Sequence, residues 1–140
     1  MRLHVVARGR IGRGAEADLV ARYAGRIGWP FAVTELPERG GRVPKAPSGA
    51  RTVALDETGE AMSSTELARM LERWRDDGVR EARFVIGAAD GLTDRDLGGA
   101  DVTLSLGRAT WPHLMVRAML VEQLYRATTI VAGHPYHREG

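Results

Sequence analysis

An α/β chain with a mostly parallel sheet and helices on both faces is the fold class that this sequence predicts. Five short apolar runs alternate with helix-like or loop-like segments, the pattern of a parallel sheet covered on two sides. The run at residues 52–55 reads as a strand buried on both faces. The chain has 140 residues, the length of a single domain, taken here as 1–140. A domain of about 150 residues buries roughly 68–70% of its unfolded surface, enough for one core.

Residues 3–7 form the first apolar run and read as a strand, followed by a basic, glycine-rich turn. Residues 15–27 place Leu19, Val20, Tyr23 and Ile27 at helical spacing, and Pro30 ends that element. Phe31–Leu36 is the second strand, closed by Pro37. Three prolines and three glycines make residues 37–50 a loop. The third strand at 52–55 leads to Ser63-Ser64-Thr65-Glu66, a capping box that opens a helix. Leu67, Met70, Leu71 and Trp74 form that helix's apolar stripe, and Gly78 stops it. Residues 84–86 and 102–106 are the last two strands. Thr110 is expected to cap a long final helix reaching about Val131, with Pro112 in its first turn, where a missing N–H costs nothing. Apolar residues cover most of the circumference of this last helix, so it needs a second buried face, supplied by its own fold or by another subunit.

Composition narrows the class. Apolar residues make up 44% of the chain and charged residues 27%, as in ordinary globular proteins. No apolar run approaches a membrane span, and the N-terminal apolar run meets Arg8 and Arg10 too soon for a signal-peptide core. A cytoplasmic protein with no membrane partner is expected. With no cysteine, disulfides and thiolate metal sites are excluded. The net charge of +2 conceals basic ends and an acidic middle. A basic N-terminal segment suits a polyanion, although on charge alone a solvated surface is the simpler reading.

Three strands end in glycine-bearing loops: Leu55-Asp56-Glu57-Thr58-Gly59, Ile86-Gly87-Ala88-Ala89-Asp90-Gly91 and Leu106-Gly107-Arg108-Ala109-Thr110. Ligands of open α/β sheets sit beyond the carboxyl ends of the strands. Glycine lets backbone approach them closely, so an adenosyl ligand read by N–H and C=O groups fits. The rival glycine run, Gly9-Arg10-Ile11-Gly12-Arg13-Gly14, has G-x-x-G-x-G spacing instead of the dinucleotide G-x-G-x-x-G, and its arginines suit RNA phosphate better. His4 lies in a strand and reads as structural. No metal site is expected: His134 and His137 lack an acidic or cysteine cluster at ligand spacing.

The run Leu104-Ser105-Leu106-Gly107-Arg108-Ala109-Thr110-Trp111-Pro112-His113, with Arg117, Glu122-Gln123, Tyr125-Arg126-Ala127 and the terminal Tyr136-His137-Arg138-Glu139, strongly resembles the ribosomal large-subunit methyltransferase H family. The resemblance covers nearly the whole chain, and its C-terminal third is the specific part. Members methylate N3 of a pseudouridine in 23S rRNA of the assembled ribosome, using S-adenosyl-L-methionine (AdoMet). The resemblance implies a SPOUT fold with a C-terminal trefoil knot and a homodimer through the last helix, each site completed by the other subunit. It also implies a cofactor cleft at Leu55, Gly87 and Leu106 to Trp111, that is Leu106, Gly107, Arg108, Ala109, Thr110 and Trp111. Two departures stand out: Ala88 replaces the usual second glycine of its loop, and the segment between Pro37 and Arg51 is short for the family.

The chemistry requires a positioned nucleophile, in line with the S–CH₃ bond, and no metal. Deprotonating the imide N3–H places charge on the base, which guanidinium or N–H donors stabilise and an imidazole can help to form. Arg126, Tyr136, His137, Arg138 and His113 are the catalytic candidates, with Tyr136 stacking on the base. The tail at 134–138 is expected to be mobile until RNA binds. The rival class is a non-catalytic RNA-binding or ribosome-assembly factor on the same scaffold, without need of a cofactor cleft.

Overall fold

The computed structural model describes residues 1–93, 96 and 99–138; Glu139 of the terminal motif lies outside the described residues. The elements run β1 (Arg2–Arg8), α1 (Ala15–Ala24), β2 (Phe31–Leu36), β3 (Arg51–Ala61), α2 (Ser64–Asp76), β4 (Glu81–Ile86), β5 (Val102–Ser105) and α3 (His113–Val131). The five strands form one sheet in the order β2-β1-β4-β3-β5, and every pairing is parallel. All five carboxyl ends therefore lie along one edge.

One face of the sheet is apolar. Leu3, Val5 and Ala7 of β1, Val53 and Leu55 of β3, Phe84 and Ile86 of β4 and Leu104 of β5 pack against Leu67 and Leu71 of α2 and Leu120, Val121 and Leu124 of α3. Helix α3 lies between α1 and α2 and contacts both, so much of its apolar circumference is used inside the chain. Helix α1 has no fully buried residue. The three described helices share this face.

The opposite face is mixed, apolar at Val6, Ala54 and Val85 and polar elsewhere, and is also covered. His4, Arg8, Glu81 and Arg83 are all buried there. Glu81 pairs with Arg83 (3.1 Å) and faces His4 Nδ1 (3.3 Å), while His4 Nε2 meets the Thr34 hydroxyl at 2.7 Å. Burial lowers the His4 pKa against the opposing pull of Glu81, so the ring is neutral and structural, as expected. The 37–50 segment closes over this face by lending carbonyls, that of Gly40 to Arg8 and that of Pro44 to Arg83.

Four elements depart from the sequence reading. Strand β3 does not stop at Leu55. It leaves β5 there and rejoins it at Glu60, so Leu55 and Glu60 both oppose Leu104. Gly59 makes the return possible, because a Cβ there would lie 2.6 Å from the backbone oxygen of Thr103. Strand β4 begins three residues earlier than its apolar run, since Glu81 and Arg83 are buried as partners. Thr110 is not the cap of α3. The helix opens after Pro112 with no side-chain cap, and the Thr110 hydroxyl donates to Glu57 instead (2.7 Å). Helix α1 also ends early, at Ala24, with Gly25 as its C-cap. The capping box forms as expected, Ser63 and Glu66 each accepting the other's backbone N–H.

Arg117 joins the last helix to the first two strands. Its side chain is 1% exposed, and it donates to Glu35 (2.6 Å) and to the carbonyl oxygens of Arg8 (3.3 Å) and Gly9 (2.9 Å). Glu35 also accepts the backbone N–H of Ile11 (2.8 Å). That bond, followed by the Arg117 pair, holds the Glu35 carboxyl below the ordinary carboxylate value despite partial burial. Breaking a buried pair from one side costs about 3–5 kcal/mol. Glu35 is partly exposed, so Arg117→Met is expected near the lower end, with a fall in Tm of roughly 10 °C by calorimetry. Because the folded pKa of Glu35 is depressed, its contribution is present above the unfolded value and lost as pH falls through the folded one. Wild type should therefore exceed Glu35→Gln in denaturant midpoint at pH 7, and the gap should close between about pH 5 and pH 3.

Candidate active site

The carboxyl ends of β3, β4 and β5 enclose a cleft of about 360 Å³, within the range of roughly 300–1,000 Å³ for small-molecule sites. Leu55, Gly87, Leu106, Gly107, Ala109, Thr110 and Trp111 all line it, while Arg108 is exposed and does not. The walls combine the apolar residues Leu55, Ile86, Leu106 and Val116 with residues of the three loops.

Each loop is shaped by an identifiable constraint. A Cβ on Gly87 would lie 2.5 Å from the backbone carbon of Gly91, so that glycine is required by the loop folding on itself. Its role is to shape the cleft wall. Ala88 pairs with Gly91 across this turn, Gly91 N–H donating to the Ala88 carbonyl at 2.8 Å. Gly107 has φ +120°, a backbone conformation that L side chains rarely adopt. Beside it, the Ser105 hydroxyl bonds the backbone of Gly107 and the carbonyl of Glu57. With the Thr110–Glu57 bond, this ties the β5 loop to the β3 loop. Asp56, Glu57 and Asp90 also line the cleft and were not candidates from sequence, where they read as ordinary loop residues.

The five catalytic candidates separate into two places. His113 lines the cleft, with Nε2 3.3 Å from a Glu38 carboxylate oxygen. Arg126, Tyr136 and His137 gather at the far end of α3. Arg126 donates twice to Glu122 (2.9 and 2.6 Å), its Nη1 lies 3.1 Å from His137 Nδ1, and the Tyr136 hydroxyl donates to Glu122 (3.1 Å). Tyr136 is further packed between Tyr125, with ring centroids 4.7 Å apart, and the Arg126 guanidinium, 4.8 Å from its ring. Arg138 is exposed. Thirteen residues of helix separate His113 from Arg126, about 20 Å along the axis. In this structure the tail packs against α3.

The electrostatics of this second group follow from Glu122. Its bond to Arg126 raises the guanidinium pKa further. Burial, with the Glu122 bond next, pushes the Tyr136 phenol up to about 12, so it is a neutral donor at physiological pH. An arginine N–H can only donate, so His137 Nδ1 accepts in this contact and Nε2 is left as the ring's donor. Glu122 organises the cluster; in the sequence it stands within the motif that carries the family resemblance and outside the five catalytic candidates.

A larger groove of about 750 Å³ lies between α1, the start of α2 and α3. It reaches from Tyr23 and Glu122 to Leu104, Leu106 and Gly107, which also line the cleft. Leu19 and Met115 are apolar yet exposed at its walls.

The family model described as "Predicted SPOUT methyltransferase" matches residues 1–137. A ribosomal RNA large subunit methyltransferase H from Sphingopyxis alaskensis is 66% identical over 140 residues, covering 100% of this chain and 99% of the relative. The protein of the same name from Rhizorhabdus wittichii is 62% identical, with 100% of both chains covered. A solved probable methyltransferase from Bordetella pertussis has the same fold at 13% identity, with a TM-score of 0.62 over 90% of this chain and 95% of that one. Sheet, cleft and sequence agree that this chain is a SPOUT methyltransferase and belongs to the ribosomal RNA large subunit methyltransferase H family.

Proposed function

We propose that this protein uses AdoMet to methylate N3 of a pseudouridine in 23S rRNA of the assembled ribosome, acting as a cytoplasmic homodimer with the C-terminal trefoil knot of its fold family. The observation that carries the reading is the convergence of three constrained glycine loops on one cleft whose walls combine apolar side chains with polar loop residues. Such a lining fits an adenosyl group: backbone N–H and C=O groups can read the adenine edge, and Leu55, Leu106 and Trp111 can cover its faces. AdoMet, when bound, supplies a methyl group made electrophilic by its sulfonium.

The chain's own groups do the rest. His113 is the candidate imidazole within reach of a ligand in the cleft. The Arg126 guanidinium, oriented by Glu122, offers charge to the deprotonated imide, and Arg138 is free to meet the same ring or its phosphate. His137 presents a donor in this arrangement and acts beside Arg126 as a charge-stabilising group. The separation of about 20 Å along α3 keeps the tail cluster from the cleft of its own chain. A second copy docked on the groove with exposed Leu19 and Met115 would bring its tail to that cleft.

Two measurements test this. In Gly87→Ala the new methyl group meets the Gly91 backbone, and the loop must shift at a cost of about 1–3 kcal/mol. AdoMet affinity by calorimetry should fall roughly tenfold or more while the fold is kept; unchanged affinity would put the cofactor elsewhere. Deleting residues 134–140 should leave the fold and AdoMet binding intact and slow single-turnover methylation of saturating ribosomes by about 10²–10⁴-fold. Mixing the truncated chain with the Gly87→Ala chain should restore activity, because a mixed dimer has one site with both an intact cleft and an intact tail. No recovery in demonstrated mixed dimers would mean that the sites are not shared.

A further inference from the structure

The loops that leave β1 and β2 form a flank of the cleft that the mechanism above does not use. These strands are neighbours at one side of the sheet, and both end on the edge that carries the cleft. Arg10 and Arg13 are exposed on the first loop, Arg39 and Arg42 on the second. Among the described residues, neither Arg39 nor Arg42 has a hydrogen-bond or ion-pair partner. A separate cavity of about 530 Å³ opens beside these two arginines and shares Ala88, Asp90 and Gly91 with the cofactor cleft. Among the described residues, the acidic groups around it are Glu38, which faces His113, Asp96, which is paired with Arg8, and the exposed Asp90. Among those residues the unpaired charge on this flank is predominantly positive.

The strap that carries Arg39 and Arg42 is fixed from beneath. The Arg8 guanidinium, whose side chain is 10% exposed, donates to the carbonyl oxygens of Pro37 (3.2 Å), Gly40 (2.5 Å) and Gly41 (3.3 Å) and faces Asp96 at 3.4 Å. Gly40 and Gly41 have φ of 72° and 67°, and their carbonyls converge on that one side chain. Only the planar fork of arginine can serve three carbonyls and a carboxylate at once. Burial raises the Asp96 carboxyl, yet its bonds from Arg8 and Thr93 outweigh this and keep it below the ordinary value. A solvated loop has no need of a buried cation to hold it, whereas a loop that presents two cations at a set distance from a cleft does.

We propose that Arg39 and Arg42, on a strap positioned by Arg8, clamp the phosphate backbone of the RNA substrate beside the methylation cleft, with Arg10 and Arg13 extending the same track. Phosphates carry a negative charge at every nucleotide whatever the sequence, and exposed arginines bind them with two parallel N–H bonds. Nucleic-acid proteins use such contacts to set register, leaving the target base to be recognised in the site. The proposal rests on ribosomal RNA being the substrate.

The test uses the full chain, AdoMet and unmethylated ribosomes over a range of salt. Arg39→Gln/Arg42→Gln should raise KM for ribosomes roughly tenfold and lessen the slope of log KM against log salt by about 1 per arginine. The effect should fall on KM and not on kcat, and AdoMet affinity should hold. Arg8→Lys keeps the charge and loses the fork. It should raise KM similarly, and adding it to the double variant should raise KM little further, since both act through one strap. Arg80→Gln, exposed before β4 at the opposite edge, alters net charge by the same amount per residue and should leave the salt slope unchanged. The clamp is overturned if the double variant keeps the wild-type KM and slope, if Arg80→Gln shifts the slope as much per charge, or if the loss is in AdoMet affinity. Wild type that methylates no ribosome would instead overturn the rRNA reading itself, and the clamp with it.

Discussion

The buried guanidinium of Arg117 is the contact on which the rest of the arrangement depends. It sits within α3, and its three acceptors belong to the end of β1 and to β2. One side chain therefore sets where the last helix crosses the sheet and where the first loop leaves it. Glu35, the charged acceptor, takes a second bond from Ile11 in that same loop. Apolar packing of Leu120, Val121 and Leu124 holds α3 against the sheet but is indifferent to small slides along it. A charge whose partners are fixed is not, because each unmet bond in a buried site costs about 1–3 kcal/mol.

A wholly parallel sheet adds a constraint of its own. Every strand ends on the same edge, so every loop that could carry chemistry is delivered there. The strand order then sorts those loops. β4, β3 and β5 are adjacent, and their loops form the cleft; β1 and β2 lie to one side, and their loops carry exposed arginines. The acidic cleft-lining residues Asp56, Glu57 and Asp90 thus stand next to a basic flank. The charge segregation visible along the sequence, basic ends and an acidic middle, becomes a segregation across one edge of the fold.

Two of the polar clusters serve different ends. His4, Glu81 and Arg83 cluster under the 37–50 segment, beside the buried apolar Val6, Ala54 and Val85, on the second face of the sheet. Glu122, Arg126 and Tyr136 satisfy one another at the surface of α3, where Glu122 also lines an open groove. The first arrangement is closed and the second faces solvent, and a partly exposed, hydrogen-bonded arginine can exchange a partner at low cost.

The sequence by itself determined the α/β order, four of the five strands' positions to within a residue at their starts, the capping box at Ser63 and the three glycine loops. Each is a local property, set by periodicity or by one turn's chemistry. The C-terminal motif from Leu104 to Arg138 also disclosed the family, through identities that periodicity could not supply. Tertiary structure decided what depends on residues distant in the chain. It buried Glu81 and Arg83 and so lengthened β4, because charges that read as solvated are stable inside once paired. It turned Thr110 from a cap into a tie to Glu57, fifty-three residues away. It required Gly87 for the sake of Gly91, and it placed His113 and Arg126 at opposite ends of one helix. Spacing along a chain records which residues can share a turn, and only the packed fold fixes which loops face one another.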